Sequence, residues 1–376
     1  MGRNIGDRDT EKKIFDKIKE EYGIAVRREE MENRIVFSMQ NDGKPSALAL
    51  TSRTAAMHRK PLSASVGHIP NMAEIERVGT NVISAAAWQE AYCDEAAART
   101  LLSGALACQN QMQVPICFVE SPLSGGESLE HLGFQYIYDR PQYTLNTQTV
   151  SVEMLERAAR GEAVSLDIPG VTLQSVRREE LLSLAHFVNA RLCRQYGIFL
   201  IRSASYYESV QEKLLAMGGN LFQIMERGVR RGYFAYTNTA ADSIREAVFD
   251  QAFDRECYLL TERGKKPAVM ARIVNLPELL KHVTGNGRIT IAVQIKDSVI
   301  AENDGLFIWY INEEGSRMER VDAPAAGMEM DSSMRPEFTA TIGEFAAFVF
   351  AYTTLKQNAK FDSIYLAGSA WLDDIY

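Results

Sequence analysis

The chain lacks any apolar run of the roughly 18 residues needed to span a bilayer. Its start, Met1 to Glu20, is dense with charge and has no apolar leader core. Both absences argue against a membrane partner and make the cytoplasm the expected location. Cysteine is sparse: Cys93, Cys108, Cys117, Cys193 and Cys257 are odd in number and contain no Cys-x-x-Cys pair. A disulfide framework is therefore not expected, and buried free thiols are. The 5 histidines are scattered, with no His/Cys/carboxylate cluster at ligand spacing, so no metal is expected. Positive charge is in deficit, with 41 Lys and Arg against 49 Asp and Glu and a net charge of -8. Nucleic acid and anionic membranes need clustered cations, and neither is an expected partner. The stretch Arg227 to Arg231 is the local exception. It reads as a solvated turn or strand end, with an anion contact as the sharper alternative.

What is present is a globular composition, 46% hydrophobic and 24% charged over 376 residues. That length suits two or three domains. Phe15, Ile18 and Tyr22 place a helix over Thr10 to Tyr22. Arg34 to Met39 and Ser46 to Thr51 read as a hairpin turned at Asn41-Asp42-Gly43-Lys44. Asn81 to Trp88 is apolar and short enough for a strand, followed by a helix from about Asp94 to Gln109 and a strand at Val114 to Val119. Ser121 to Glu127 reads as a loop, and Gln135 to Tyr138 as a strand ending before Pro141.

The grammar then repeats. A hairpin turns at Pro169-Gly170, and a helix runs from Arg178 to about Tyr196 with Leu182, Ala185, His186, Val188 and Leu192 on one face. A strand at Ile198 to Ile201, a helix at Ser205 to Met217 and a strand pair at Leu221 to Met225 and Tyr233 to Thr237 come next. Ile244 to Phe253 reads as a further helix. Beyond Lys266, Ala268 to Val274 is a strand and Pro277 to His282 starts a helix. Ile289, Ile291, Val293 and Ile295 alternate with polar or small neighbours as a half-buried strand, Asn303-Asp304-Gly305 is a hairpin turn, and Thr341 to Tyr352 is an apolar helix. The expected class is α/β with mixed sheets. Phe307, Trp309, Phe345 and Phe348 could line an apolar ligand pocket, but core packing is the preferred reading.

Three segments carry a likeness to a known family. They are Leu132-Gly133-Phe134-Gln135-Tyr136-Ile137-Tyr138-Asp139-Arg140-Pro141, the run from Lys266 to Pro277, and the tail Trp371 to Tyr376. In order and spacing they resemble the Eis-like (enhanced intracellular survival) branch of the GNAT acetyltransferases. The resemblance implies tandem GNAT-like domains at 1–148 and 149–265 and a sterol-carrier-protein-like domain at 266–376. It also implies a homo-oligomer that moves acetyl from acetyl-CoA to a primary amine, small-molecule or peptidyl. The terminal carboxylate of Tyr376 would serve as the base, since an ammonium must lose a proton before it attacks.

Two positions depart from that family. A GNAT cofactor turn is usually Arg/Gln-x-x-Gly-x-Gly/Ala, whose backbone N–H groups hold a diphosphate at a helix N-terminus. The matching positions here are Cys93-Asp94-Glu95-Ala96-Ala97-Ala98, with carboxylates where the anion would sit. If the cofactor binds, Asp94 to Ala98 would hold its phosphates, and Ala86, Ala87 and Trp88, as the preceding strand end, would face its pantetheine arm. The family's general-acid Tyr falls at Leu129; His131 is the nearest residue able to donate a proton. Two functions follow: an acetyltransferase, impaired at these points, or a degenerate relative serving as a small-molecule-binding or assembly module.

Overall fold

The computed structural model describes residues 5–29, 33–41, 44–58, 75–92, 94–120, 126–238, 244–250, 253, 259–321, 335–353, 364–365 and 370–371. Asp42 and Gly43 of the expected hairpin turn, residues 121–125 of the expected loop, Cys93 and the tail 372–376 lie outside them.

The chain opens with α1 (Ile5–Tyr22) and the antiparallel strands β1 (Ala25–Glu29), β2 (Arg34–Asn41), β3 (Lys44–His58) and β4 (Ile75–Ile83). Two helices follow, α2 (Ala85–Ala91) and α3 (Glu95–Gln111), then β5 (Ile116–Glu120), α4 (Gly126–His131) and β6 (Gln135–Leu145). Next come α5 (Val152–Ala159), β7 (Val164–Ser165), β8 (Val171–Ser175), α6 (Leu181–Gln195), β9 (Ile198–Leu200), α7 (Ala204–Ala216), β10 (Asn220–Glu226), β11 (Val229–Tyr236) and β12 (Ile244–Phe249). The last third holds β13 (Leu260–Ile273), α8 (Leu276–Leu280), β14 (Thr284–Gly285), β15 (Ile289–Lys296), β16 (Gly305–Ile311), β17 (Ser316–Arg320), β18 (Phe338–Thr341) and α9 (Ile342–Val349).

Two compact units result. The first gathers Met1–Tyr138, Tyr196–Leu200 and Pro267–Leu372; the second holds Asp139–Gln195 and Ile201–Lys266. In the first unit the sheet runs β1-β2-β3-β4-β5-β13. β4 and β5 are parallel, pairing Thr80 with Ile116 and Ile83 with Val119, so α2 and α3 form the crossover between them. β5 is buried from Ile116 to Val119 because β13 pairs with its other edge, Ile273 against Ile116. Phe37, Leu48, Trp88, Leu101, Leu102, Leu106 and Phe134 share the core beneath this sheet. A second sheet, β17-β16-β15-β18, packs α9 through Trp309 and Phe345, whose rings lie 5.6 Å apart. Phe307, Trp309, Phe345 and Phe348 are all buried as core.

In the second unit the strands run β12-β11-β10-β8-β7. Phe222, Ile224 and Phe234 join Leu155 and Leu173 in its core. α6 buries Leu181, Leu184, Ala185, Val188 and Leu192. Leu182 and His186, expected on that face, are exposed. The expected helix at Ile244 to Phe253 is instead strand β12 as far as Phe249. Ile244, Glu246 and Val248 point inward, and the inward carboxylate hid the period-2 pattern. β6 runs through Pro141 to Leu145 rather than stopping before it.

Candidate functional site

The expected cofactor turn is built as an ordinary capped helix start. Asp94 is the N-cap of α3, and its Oδ1 accepts the Ala97 amide at 3.1 Å while its carbonyl takes the Ala98 amide at 2.8 Å. Side-chain oxygens at this position satisfy the orphan donors of a first helical turn. Ala97 and Ala98 are buried against the core, whereas Glu95 and Ala96 face outward. Glu95 Oε1 accepts the Ser128 hydroxyl at 2.7 Å, which ties α3 to α4. Glu95 and Ser128 therefore meet, one residue along from Asp94. Around them the helix terminus already carries an internal anion, and a second carboxylate stands beside it.

The segment before it also differs from expectation. Ala86, Ala87 and Trp88 sit in α2 rather than at a strand end. Ser84 caps this helix, accepting the Ala87 amide at 3.2 Å, and alanine is the strongest helix former. A short apolar run is ambiguous between strand and helix, and here the cap and the alanines decide. Trp88 is fully buried, its ring 5.5 Å from that of Tyr92. Leu129 is buried in α4, which begins at Gly126 where a loop was expected to continue. His131 closes α4 and is exposed. Tyr376 lies outside the described residues.

A diphosphate at this terminus would lie against Asp94 and Glu95, with the Ala97 N–H already engaged. No glycine opens the turn. The residues of this turn do not fit the phosphates of acetyl-CoA.

Two polar clusters escaped sequence reasoning. In the first unit Arg272 of β13 forks onto Asp297 with Nη2 at 2.7 and 2.8 Å, both side chains fully buried, and Nη1 donates to the Leu132 carbonyl. Burial pulls the guanidinium down from its usual range and the Asp297 charge pushes it back. Asp297 also accepts the Val299 and Ile300 amides at 2.9 and 3.1 Å and Asn303 Nδ2 at 3.2 Å. Gly133 is required beside it. Its φ of +83° is left-handed, and a Cβ there would fall 2.2 Å from Arg272 Nη1. The first and second segments that carry the family likeness thus touch each other in space.

The second cluster belongs to the second unit. Glu246 of β12 accepts Arg202 Nη2 at 2.9 Å and the Tyr233 hydroxyl, with Tyr207 donating to Tyr233 at 3.2 Å. Asn189 brackets the Arg202 backbone, donating to its carbonyl at 2.8 Å and accepting its amide at 2.9 Å. Burial, then the Glu246 charge, pushes both tyrosines well above the usual phenol range. Two cations of the basic stretch are also spent internally. Arg230 donates to Gln223 at 2.8 Å, and Arg231 pairs with Glu226 at 3.1 Å and Asp250 at 3.4 Å.

Among the described residues no group of three or more His, Cys, Asp or Glu could hold a metal ion, and no helix is long and apolar enough to cross a membrane. The fold is a mixed α/β architecture shared with GCN5-related N-acetyltransferases. One such protein from Anabaena variabilis is similar at 15% identity and a TM-score of 0.61, over 99% of this chain and 94% of that one. A probable N-acyltransferase of unknown function from Enterococcus faecalis matches at 13% identity and 0.60, over 95% and 91%. Eis1 from Mycobacterium abscessus matches at 9% identity and 0.55, over 97% and 92%. No protein-family profile and no curated protein matches the sequence.

Proposed function

We propose that this chain keeps the acyltransferase framework without an acetyl-CoA site at the start of α3, and works as a small-molecule-binding or assembly module. The observation that supports it is the Asp94 carboxylate on the Ala97 amide, with Glu95 next to it, where a cofactor diphosphate would need free N–H groups and no negative charge. Isothermal calorimetry with acetyl-CoA tests it. No saturable binding is expected at millimolar cofactor; a Kd below about 100 μM, within the usual working range of enzymes, would overturn the proposal.

The end-to-end match to the Anabaena protein favours a second reading, an N-acetyltransferase acting on a small-molecule or peptidyl primary amine. In that reading the chain divides at 1–148, 149–265 and 266–376, assembles as a homo-oligomer in the cytoplasm, and brings its terminal carboxylate to the amine. Tyr376 would hold and deprotonate the ammonium, and His131 is the candidate proton donor. Deleting Tyr376 should then lower turnover with cofactor affinity unchanged. Unaltered turnover would remove the tail from the chemistry.

A further inference from the structure

An open cleft of about 640 Å³ lies at one end of the β15–β16–β17 sheet, within the first unit. Strand pairing makes Thr290, Tyr310 and Arg317 one cross-strand row, Thr290 opposite Tyr310 and Tyr310 opposite Arg317. Arg288, just before β15, and Lys281, at the end of α8, also line the cleft. Three cations thus line the cleft in a chain whose net charge is -8. Glu314 is the one carboxylate among its lining residues.

The cations are not equivalent. The Arg317 guanidinium lies over the Tyr310 ring, 4.6 Å from its centroid, and donates to Glu319 at 3.0 Å. Lys281 pairs with Glu278. Both pairs are more than a quarter exposed on each partner, and such surface pairs contribute little, so a ligand anion can compete for these cations. Arg288 makes no ion pair among the described residues and is exposed. A planar guanidinium supported by a ring offers its other face to a second planar group. The Arg288 and Lys281 charges offer an oxyanion several donors. Volumes of this size suit small-molecule ligands.

We propose that this cleft binds an aromatic phosphomonoester of nucleotide size, its ring over Arg317 and its phosphate toward Arg288 and Lys281. The assignment is independent of whether α3 accepts acetyl-CoA. The probe is adenosine 5′-monophosphate, titrated into the full chain by calorimetry and by ligand-observed NMR. Saturable binding is expected that weakens as salt rises and falls about tenfold or more in Arg288→Glu and in Arg317→Ala. Adenosine and inorganic phosphate should each bind at least about tenfold more weakly than the nucleotide. Both substituted residues are exposed, and circular dichroism should show both variants folded. No binding to the native chain at millimolar nucleotide, or binding unchanged by both substitutions, overturns the site. Inorganic phosphate equalling the nucleotide overturns the ring assignment. Acetyl-CoA binding that survives Arg317→Ala would belong elsewhere and would bear on the preceding proposal alone.

Discussion

Removing the Glu246 carboxylate is the sharpest perturbation the second unit offers. Glu246 and Arg202 each have side chains only 1% exposed, so the charge left behind has no access to water. Breaking a buried ion pair from one side costs about 3–5 kcal/mol. The Tyr233 hydroxyl loses its acceptor as well, a loss worth about 1–3 kcal/mol alone. The two penalties share one network and do not add, so Glu246→Ala should cost about 3–5 kcal/mol in all and Tyr233→Phe about 1–3 kcal/mol. Against a domain stability of about 5–15 kcal/mol, the first is a large fraction. Replacing both charges, Arg202→Met with Glu246→Leu, should recover most of the loss. Fluorescence is the wrong assay, since Trp88, Trp309 and Trp371 all lie in the first unit. Native-state amide exchange over β11 and β12 reports locally, and protection there should fall by about two to four orders of magnitude in Glu246→Ala. A fall of less than tenfold, or a double variant no better than the single, would refute the reasoning.

Alkaline stability should fall above about pH 10. The raised phenols of Tyr207 and Tyr233 keep their protons in the folded chain while the unfolded chain ionises, so their contribution is intact below pH 10 and declines above it. Each should steepen the loss by about 1.4 kcal/mol per pH unit, and Tyr233→Phe should flatten a urea series measured against pH. Burial pushes the Cys108 and Cys117 thiols up to about 12. Both should therefore resist alkylation at pH 8–9 in the native chain and react after denaturation, as intact-mass measurement would show. Arg272→Met should strand the fully buried Asp297 and cost about 3–5 kcal/mol, read by Trp88 and Trp309 fluorescence in denaturant, with Asp297→Leu as partial rescue.

Legibility followed how local the determining physics is. The alternation of Ile289 to Lys296 and the helical run from about Asp94 to Gln109 each answer to neighbours a few residues away, and both are where the pattern puts them. The acidic start of α3 was also visible, because a helix cap is a local event. α2 was misread because an apolar run gives no period, and only Ser84 with its alanines distinguishes helix from strand. β12 was misread for a non-local reason. Glu246 faces the core only because Arg202 and Tyr233, 44 and 13 residues away along the chain, arrive from other elements to meet it. The Arg272–Asp297 pair and the cleft at Arg288 were invisible on the same account.

The seating of β13 beside β5 has a consequence during synthesis. β5 exposes one whole edge of Ile116-Cys117-Phe118-Val119 until residues 269–273 emerge, some 150 residues later. At ribosomal speeds of about 5–20 residues per second, that edge stands open for roughly 8–30 s. A nascent chain in that interval carries an unpaired apolar ribbon capable of pairing with another nascent chain. Slow translation between Glu120 and Pro267 should therefore lower soluble yield, and a chaperone that shields extended apolar segments should restore it.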